Sequence, residues 1–162
     1  MITKTRGDYL SNRAWFKDVL HGQNVILCHG SALEYLQLFM GYLNEYEIDV
    51  YALEKGIYKN INYRTVNAFS NIDTVRIGNL LCTSVNQTIN DMLDDFNNTD
   101  EQALLEALNE YYHMNNQSFR GLVIQTRNIK LFENIKNWAI EYNDGGIGHN
   151  DRAGNTYVSN IR

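Results

Sequence analysis

A chain of 162 residues, 44% apolar and 20% charged, can bury a core without disulfides or metals, and its eleven tyrosines and six phenylalanines favour a packed sheet over disorder. A formal charge of −5 excludes a general nucleic-acid coat, which needs clustered Lys and Arg. Two distant cysteines lack metal-ligand spacing, the start at Met1 has no apolar leader, and no stretch can span a bilayer, so the expectation is a cytoplasmic protein with reduced thiols and no metal or cofactor.

In chain order, Ser11 caps a predicted helix whose apolar residues Ala14, Trp15, Val19 and Leu20 recur at helical spacing until Gly22 ends it. Residues 24–28 are short and rich in β-branched side chains, which predicts a buried strand leading into a helix over 31–40. Residues 46–52 and 57–66 alternate apolar with polar, the period of half-buried strands, with Glu54-Lys55-Gly56 as the turn between them. Residues 74–77 and 80–83 flank Gly78-Asn79, a hairpin signal.

Ser84 and Gln87, then Thr99 and Gln102, form S/T-x-x-Q capping boxes, so two helices are predicted to start there. The first carries Val85, Ile89, Met92, Leu93 and Phe96 on one side, and the second Ala103, Leu104, Ala107, Leu108 and Tyr111. Residues 119–125 fit a strand or a short helix, and helix is the reading adopted. Residues 129–142 carry one apolar stripe of Leu131, Phe132, Ile135, Trp138, Ala139 and Tyr142. The fold class expected is mixed α/β (α+β): a single domain over 1–142, its small, mostly antiparallel sheet in the first half and helices in the second. A Gly/Asn-rich tail over 143–162 is expected to be flexible, and Gly145-Gly146-Ile147-Gly148 within it lacks the strand-to-helix setting of a dinucleotide fingerprint.

Two places carry candidate chemistry. Cys28-His29-Gly30-Ser31 sets a thiol, an imidazole and a hydroxyl at a helix start, but neighbouring strand residues point to opposite faces, so a structural reading is preferred: Cys28 in the core, Ser31 as cap. Asp94, Asp95, Asp100, Glu101 and Glu106 form an acidic segment without Lys or Arg, and Arg120, Arg127, Lys130 and Lys136 are its basic counterpart further on. Most of these are expected to be caps and solvated faces; the sharper readings are a protein-interaction face, carried by the acidic residues, and a local nucleic-acid site on the basic ones, the less favoured of the two. No catalytic residue is assigned.

The strongest organising signal is the pair of strand-to-helix junctions at 25–36 and 80–93. Ser31-Ala32-Leu33 at the first, and Thr83, Ser84, Thr88 and Asp91 with Met92-Leu93 at the second, resemble the C-terminal domain of the AbiEi-family antitoxins of bacterial abortive-infection systems. Gln87 stands where that family carries arginine, and the residues before Val25 are too few for the family's winged helix. The resemblance implies a non-enzymatic antitoxin, bacterial or phage-encoded, opposing a nucleotidyltransferase-like toxin, in the family generally without a stable complex. Two alternatives belong to other classes. Cys28-His29-Gly30-Ser31 is a near match to the Tyr-His-Gly-Ser that opens some ADP-ribosyltransferase-like domains, implying an enzyme acting on a nucleotide. The acidic helices alone would suit a plain protein-interaction module.

Overall fold

The structure is a computed structural model describing residues 6–40 and 47–142; the tail predicted to be flexible lies outside the described residues. Ser11 accepts from the Ala14 N–H and caps α1 (Asn12–Val19), and the chain turns back at Gly22, with φ +74°. β1 (Val25–Leu27) runs into α2 (His29–Tyr35). After β2 (Ile48–Ala52) and β3 (Ile61–Thr65), the hairpin of β4 (Thr74–Ile77) and β5 (Leu80–Thr83) turns at Gly78 with φ +61°. Three longer helices follow: α3 (Val85–Asp94), α4 (Glu101–Met114) and α5 (Ile129–Ile140). Among the described residues, no helix is long and apolar enough to cross a membrane.

The strands form one sheet in the order β3-β2-β1-β5-β4. The α+β class holds, but the sheet is mixed where a mostly antiparallel one was expected. β1 pairs antiparallel with β2 and parallel with β5, while β4 and β5 form the antiparallel hairpin. The correction falls on β2 and β3, which are parallel with Ile48 opposite Ile61, so residues 53–60 cross over and do not close a hairpin. The local alternation of both strands reports burial and carries no information on direction.

Two apolar clusters fill the molecule. One lies between α1 and the sheet, with Trp15, Phe16, Leu27, Val50 and Cys82; the other lies among α3, α4 and α5, with Ile89, Met92, Leu104, Leu108 and Phe132. α2 joins them, because Ala32 and Tyr35 belong to the first cluster, Leu33 to the second, and Leu36 packs on both. α2 is shorter than predicted. Its C-cap is Leu36, and Gln37 in the left-handed region (φ +63°) turns the chain so that Leu38 and Phe39 bury beyond the helix.

Residues 119–125 are not helical. Gly121 sits at φ +89°, and α3 supplies the hydrogen bonds that a helix would have made internally. Asn86 Oδ1 accepts from Val123 N (2.9 Å), Asn90 Nδ2 donates to Val123 O (2.8 Å), and Asn90 Oδ1 accepts from Gln125 N (2.8 Å). The two predicted capping boxes are also corrected. Ser84 caps α3 by accepting from Gln87 N, but the Gln87 side chain bonds Asp73 N and Asp91 instead of returning to Ser84. At α4 the cap is Asp100, accepting from Ala103 N at 3.0 Å, one residue after the Thr99 expected there.

Candidate functional site

At the end of β1, Cys28 is extended (φ −142°) and His29 turns into the left-handed region at φ +50°, so the strand passes into α2 without a side-chain cap. Cys28 is fully buried, and burial pushes its thiol well above the ordinary range. Burial likewise pushes Cys82 up to about 12. Neither sulfur is a thiolate nucleophile at neutral pH. Ser31, expected to be a cap, lies inside α2, where its Oγ accepts from Asp49 N at 2.8 Å. With Cys28 N donating to Asp49 O at 3.0 Å, this ties the start of β2 to the junction.

The turn at His29 opens a cleft of about 450 Å3 between the start of α2, the first halves of β2 and β3, and the segment leading into α4. Ile48, Val50 and Ala52 of β2 face inward, which leaves Asp49 and Tyr51 on the opposite face. Asp49 reaches the cleft with its carboxylate accepting from Asn62 Nδ2 at 2.8 Å, and burial raises its pKa. Arg64 spans two carboxylates, Nη1 at 3.2 Å from Asp95 and Nε at 3.7 Å from Asp49. Glu34 accepts from Asn12 Nδ2 at 2.6 Å, and burial, with Asp49 adding repulsion, pushes its carboxyl up to about 7.

His29 is 5% exposed and stands edge-on to the Tyr51 ring at 5.8 Å. Burial and the Arg64 charge lower its pKa to about 4, so at neutral pH the ring is uncharged. Behind it, the Tyr51 hydroxyl donates to Asp91 Oδ2 at 2.9 Å and Gln87 Nε2 to Asp91 Oδ1 at 2.8 Å. Among the described residues, no group of His, Cys, Asp and Glu is arranged to hold a metal ion.

The residues that carry the family resemblance have internal partners. Ala32 and Leu33 are fully buried. Thr83 and Thr88, also fully buried, share a hydroxyl contact of 2.7 Å, and Thr88 donates to Ser84 O at 2.7 Å. Because β1 and β5 are paired, with Leu27 beside Cys82, both junctions begin next to each other and α2 packs on α3.

The acidic and basic residues do not make two opposed faces. Arg127 forks onto Asp94 through two bonds of 2.7 and 2.5 Å, and these hold the Asp94 carboxyl below its usual range. Asp95 pairs with Arg64, Asp100 caps α4, and Lys136 pairs with Glu133 at 2.6 Å. Glu101 is half-buried in the first turn of α4, and Arg120 and Lys130 are exposed. Glu106 is 4% exposed, so it leaves the proposed interaction face. Glu106 stands three residues from both Ala103 and Asn109, which are buried on α4, and the spacing from Ala103 was the signal available.

The cleft itself was missed. Asp49, Asn62, Arg64 and Thr99 share no local pattern and meet only through the parallel pairing of β2 with β3 and the return of the chain into α4. Comparison of the chain with protein-family models and with curated proteins finds no match in either.

Proposed function

We propose that the chain is a non-enzymatic, antitoxin-like protein of AbiEi type that opposes a nucleotidyltransferase-like toxin encoded beside it. The reading is carried by one observation: the two motif-bearing junctions lie side by side at the centre of the sheet, their polar residues spent on internal bonds. Ser31, Ser84, Thr88 and Asp91 each hold one element to another, as expected of residues that define a scaffold. An enzyme using the Cys28 thiol is disfavoured by its complete burial.

The test is growth. Expression of the neighbouring gene product is expected to arrest cells, and co-expression of this chain to relieve the arrest. A harmless neighbour, or an arrest that the chain leaves unchanged, would overturn the reading. Cys28→Ala removes the thiol that nucleotide chemistry at the junction would use and is expected to rescue as fully as the natural chain. Loss of rescue with unchanged melting would move the assignment to an enzyme.

A further inference from the structure

β1 and β5 are parallel neighbours, with Ile26 beside Leu81, so the turn entering β1 lies next to the turn entering β5. Between these turns and the last turn of α1 a second cleft opens, of about 260 Å3, at the end of the sheet away from His29. Its apolar lining is Leu20, Val25, Leu80 and Leu81; its charged lining is Lys17 and Arg76, with the His21 imidazole and no carboxylate. Arg64, Arg127 and Lys136 are paired with carboxylates. Lys17, His21 and Arg76 have no ion pair or side-chain hydrogen bond among the described residues.

The fold alone does not account for this convergence. The end of a helix favours basic side chains, which explains Lys17 and His21, but Arg76 arrives from β4. β4 is an edge strand, and a charge there guards against stray pairing. That explains a charge at residue 76 but not its sign, since a carboxylate would guard the edge equally and attract Lys17 instead of repelling it. Nor do the last carbonyls of α1 serve as counter-charge. Asp18 O accepts from His21 N, Val19 O from Gln23 Nε2 and Leu20 O from Gln23 N. Lys17 is set over the β4–β5 turn, where a Cβ on Gly78 would lie 3.8 Å from its Cε and 3.9 Å from its Nζ. Asn24 and Asn79 add amide N–H donors to the lining, and neither side chain has a hydrogen bond among the described residues.

The geometry points to this cleft as a binding site for the phosphate group of a small organic phosphomonoester. A phosphate offsets the repulsion between Lys17 and Arg76 and accepts their N–H groups in charge-assisted hydrogen bonds, two of them from the planar guanidinium fork. The leucines and Val25 beside the cations suit the carbon body of such a ligand. The volume, about 260 Å3, lies just below the roughly 300 Å3 at which ligand pockets commonly begin, and it leaves room for a phosphate and a single ring. A nucleic-acid strand is a poorer fit, because it needs a basic groove that follows several nucleotides, and the net charge of −5 opposes a polyanion. The inference is independent of the antitoxin reading, since its test uses the purified chain and no toxin.

The probe is phenyl phosphate, titrated into the purified chain at constant ionic strength and followed by calorimetry and by amide NMR shifts. Saturable binding is expected, with shifts confined to residues 17–25 and 76–81. Phenol, the same ring without the phosphate, should produce none, and inorganic phosphate, without the ring, should bind more weakly. Lys17→Gln and Arg76→Gln are both exposed changes, and each is expected to weaken phenyl phosphate about tenfold or more, the scale of one charge-assisted hydrogen bond. Lys59→Gln removes the same charge at an exposed position outside the cleft and should bind as the natural chain does. No saturable response to phenyl phosphate, unchanged affinity in folded Lys17→Gln and Arg76→Gln, or an equal loss in Lys59→Gln would overturn the assignment. So would inorganic phosphate binding as tightly as phenyl phosphate, or a thymidine oligonucleotide binding more tightly with shifts spread beyond the cleft.

Discussion

His29 and Glu34 sit five residues apart on α2 and respond to pH in opposite senses. The Glu34 carboxyl moves from an ordinary 4.5 to about 7 on folding, by burial first, with Arg6 and the Asn12 hydrogen bond opposing and Asp49 reinforcing. The folded state therefore holds that proton more tightly. Its contribution to stability is full below about 4.5 and is lost as pH rises through about 7. His29 moves from 6.5 to about 4, by burial first and then Arg64. Its contribution is full above 6.5 and is lost as pH falls toward 4. Glu34→Gln, which retains an acceptor for Asn12, should raise the melting temperature at pH 8 and leave it unchanged at pH 4.5. His29→Asn should flatten the loss of stability on the acid side, since Asn tolerates the left-handed backbone at this position. Thermal melts at the two pH values decide this, and a Glu34→Gln difference independent of pH would contradict it. None of this was legible locally: Glu34 reads as an ordinary solvated helical residue until β2 and the N-terminal helix close over it.

Asn90 does the work of an element. It is 2% exposed on α3, and its amide fixes the extended run 122–125 and, through Asn128 at 3.3 Å, the entry to α5. Asn90→Ala leaves the Gln125 N–H and the Val123 carbonyl short of partners, a loss on the order of 2–3 kcal/mol. Denaturant midpoints should record it, with amide exchange rising first over 122–128; protection retained there would show that packing alone holds the segment. α1, α3, α4 and α5 were readable because their apolar residues recur at helical spacing, and the β4-β5 turn because Gly78-Asn79 interrupts two short apolar runs. Residues 119–125 were misread because Leu122, Val123 and Ile124 announce burial, whereas their hydrogen-bond partners are asparagines more than thirty positions away. The same limitation applies to β2 and β3, whose alternation is equally good for either direction.

At the scale of the whole molecule, α2 makes the two apolar clusters one cooperative unit. The two tryptophans differ in setting: Trp15 is buried in the sheet-side core, and Trp138 lies 40% exposed on α5. Leu104→Ala, deep in the helical cluster, should lower stability by about 2–5 kcal/mol. In a Trp138→Phe background, Trp15 fluorescence should then shift its unfolding midpoint as far as far-UV circular dichroism does, as a two-state domain requires. Separate midpoints would divide the molecule into independently melting halves. The α+β class was legible from the order of strands and helices, but the cleft at His29 was not, because its lining is gathered from several separate stretches of chain.

The pairing of β1 with β5 has a consequence for synthesis. β1 is the middle strand of the finished sheet, yet it leaves the ribosome before either neighbour, and Ile26 must wait for Leu81. β2 can cover one edge as soon as residue 52 is out, but until β5 follows, the other edge of an apolar strand stands bare in the nascent chain, and covering it needs a long loop closure that is entropically unfavourable. Fragments released before β5 are thus the species most prone to aggregate, and chaperone capture of the growing chain should cease once residue 83 has emerged.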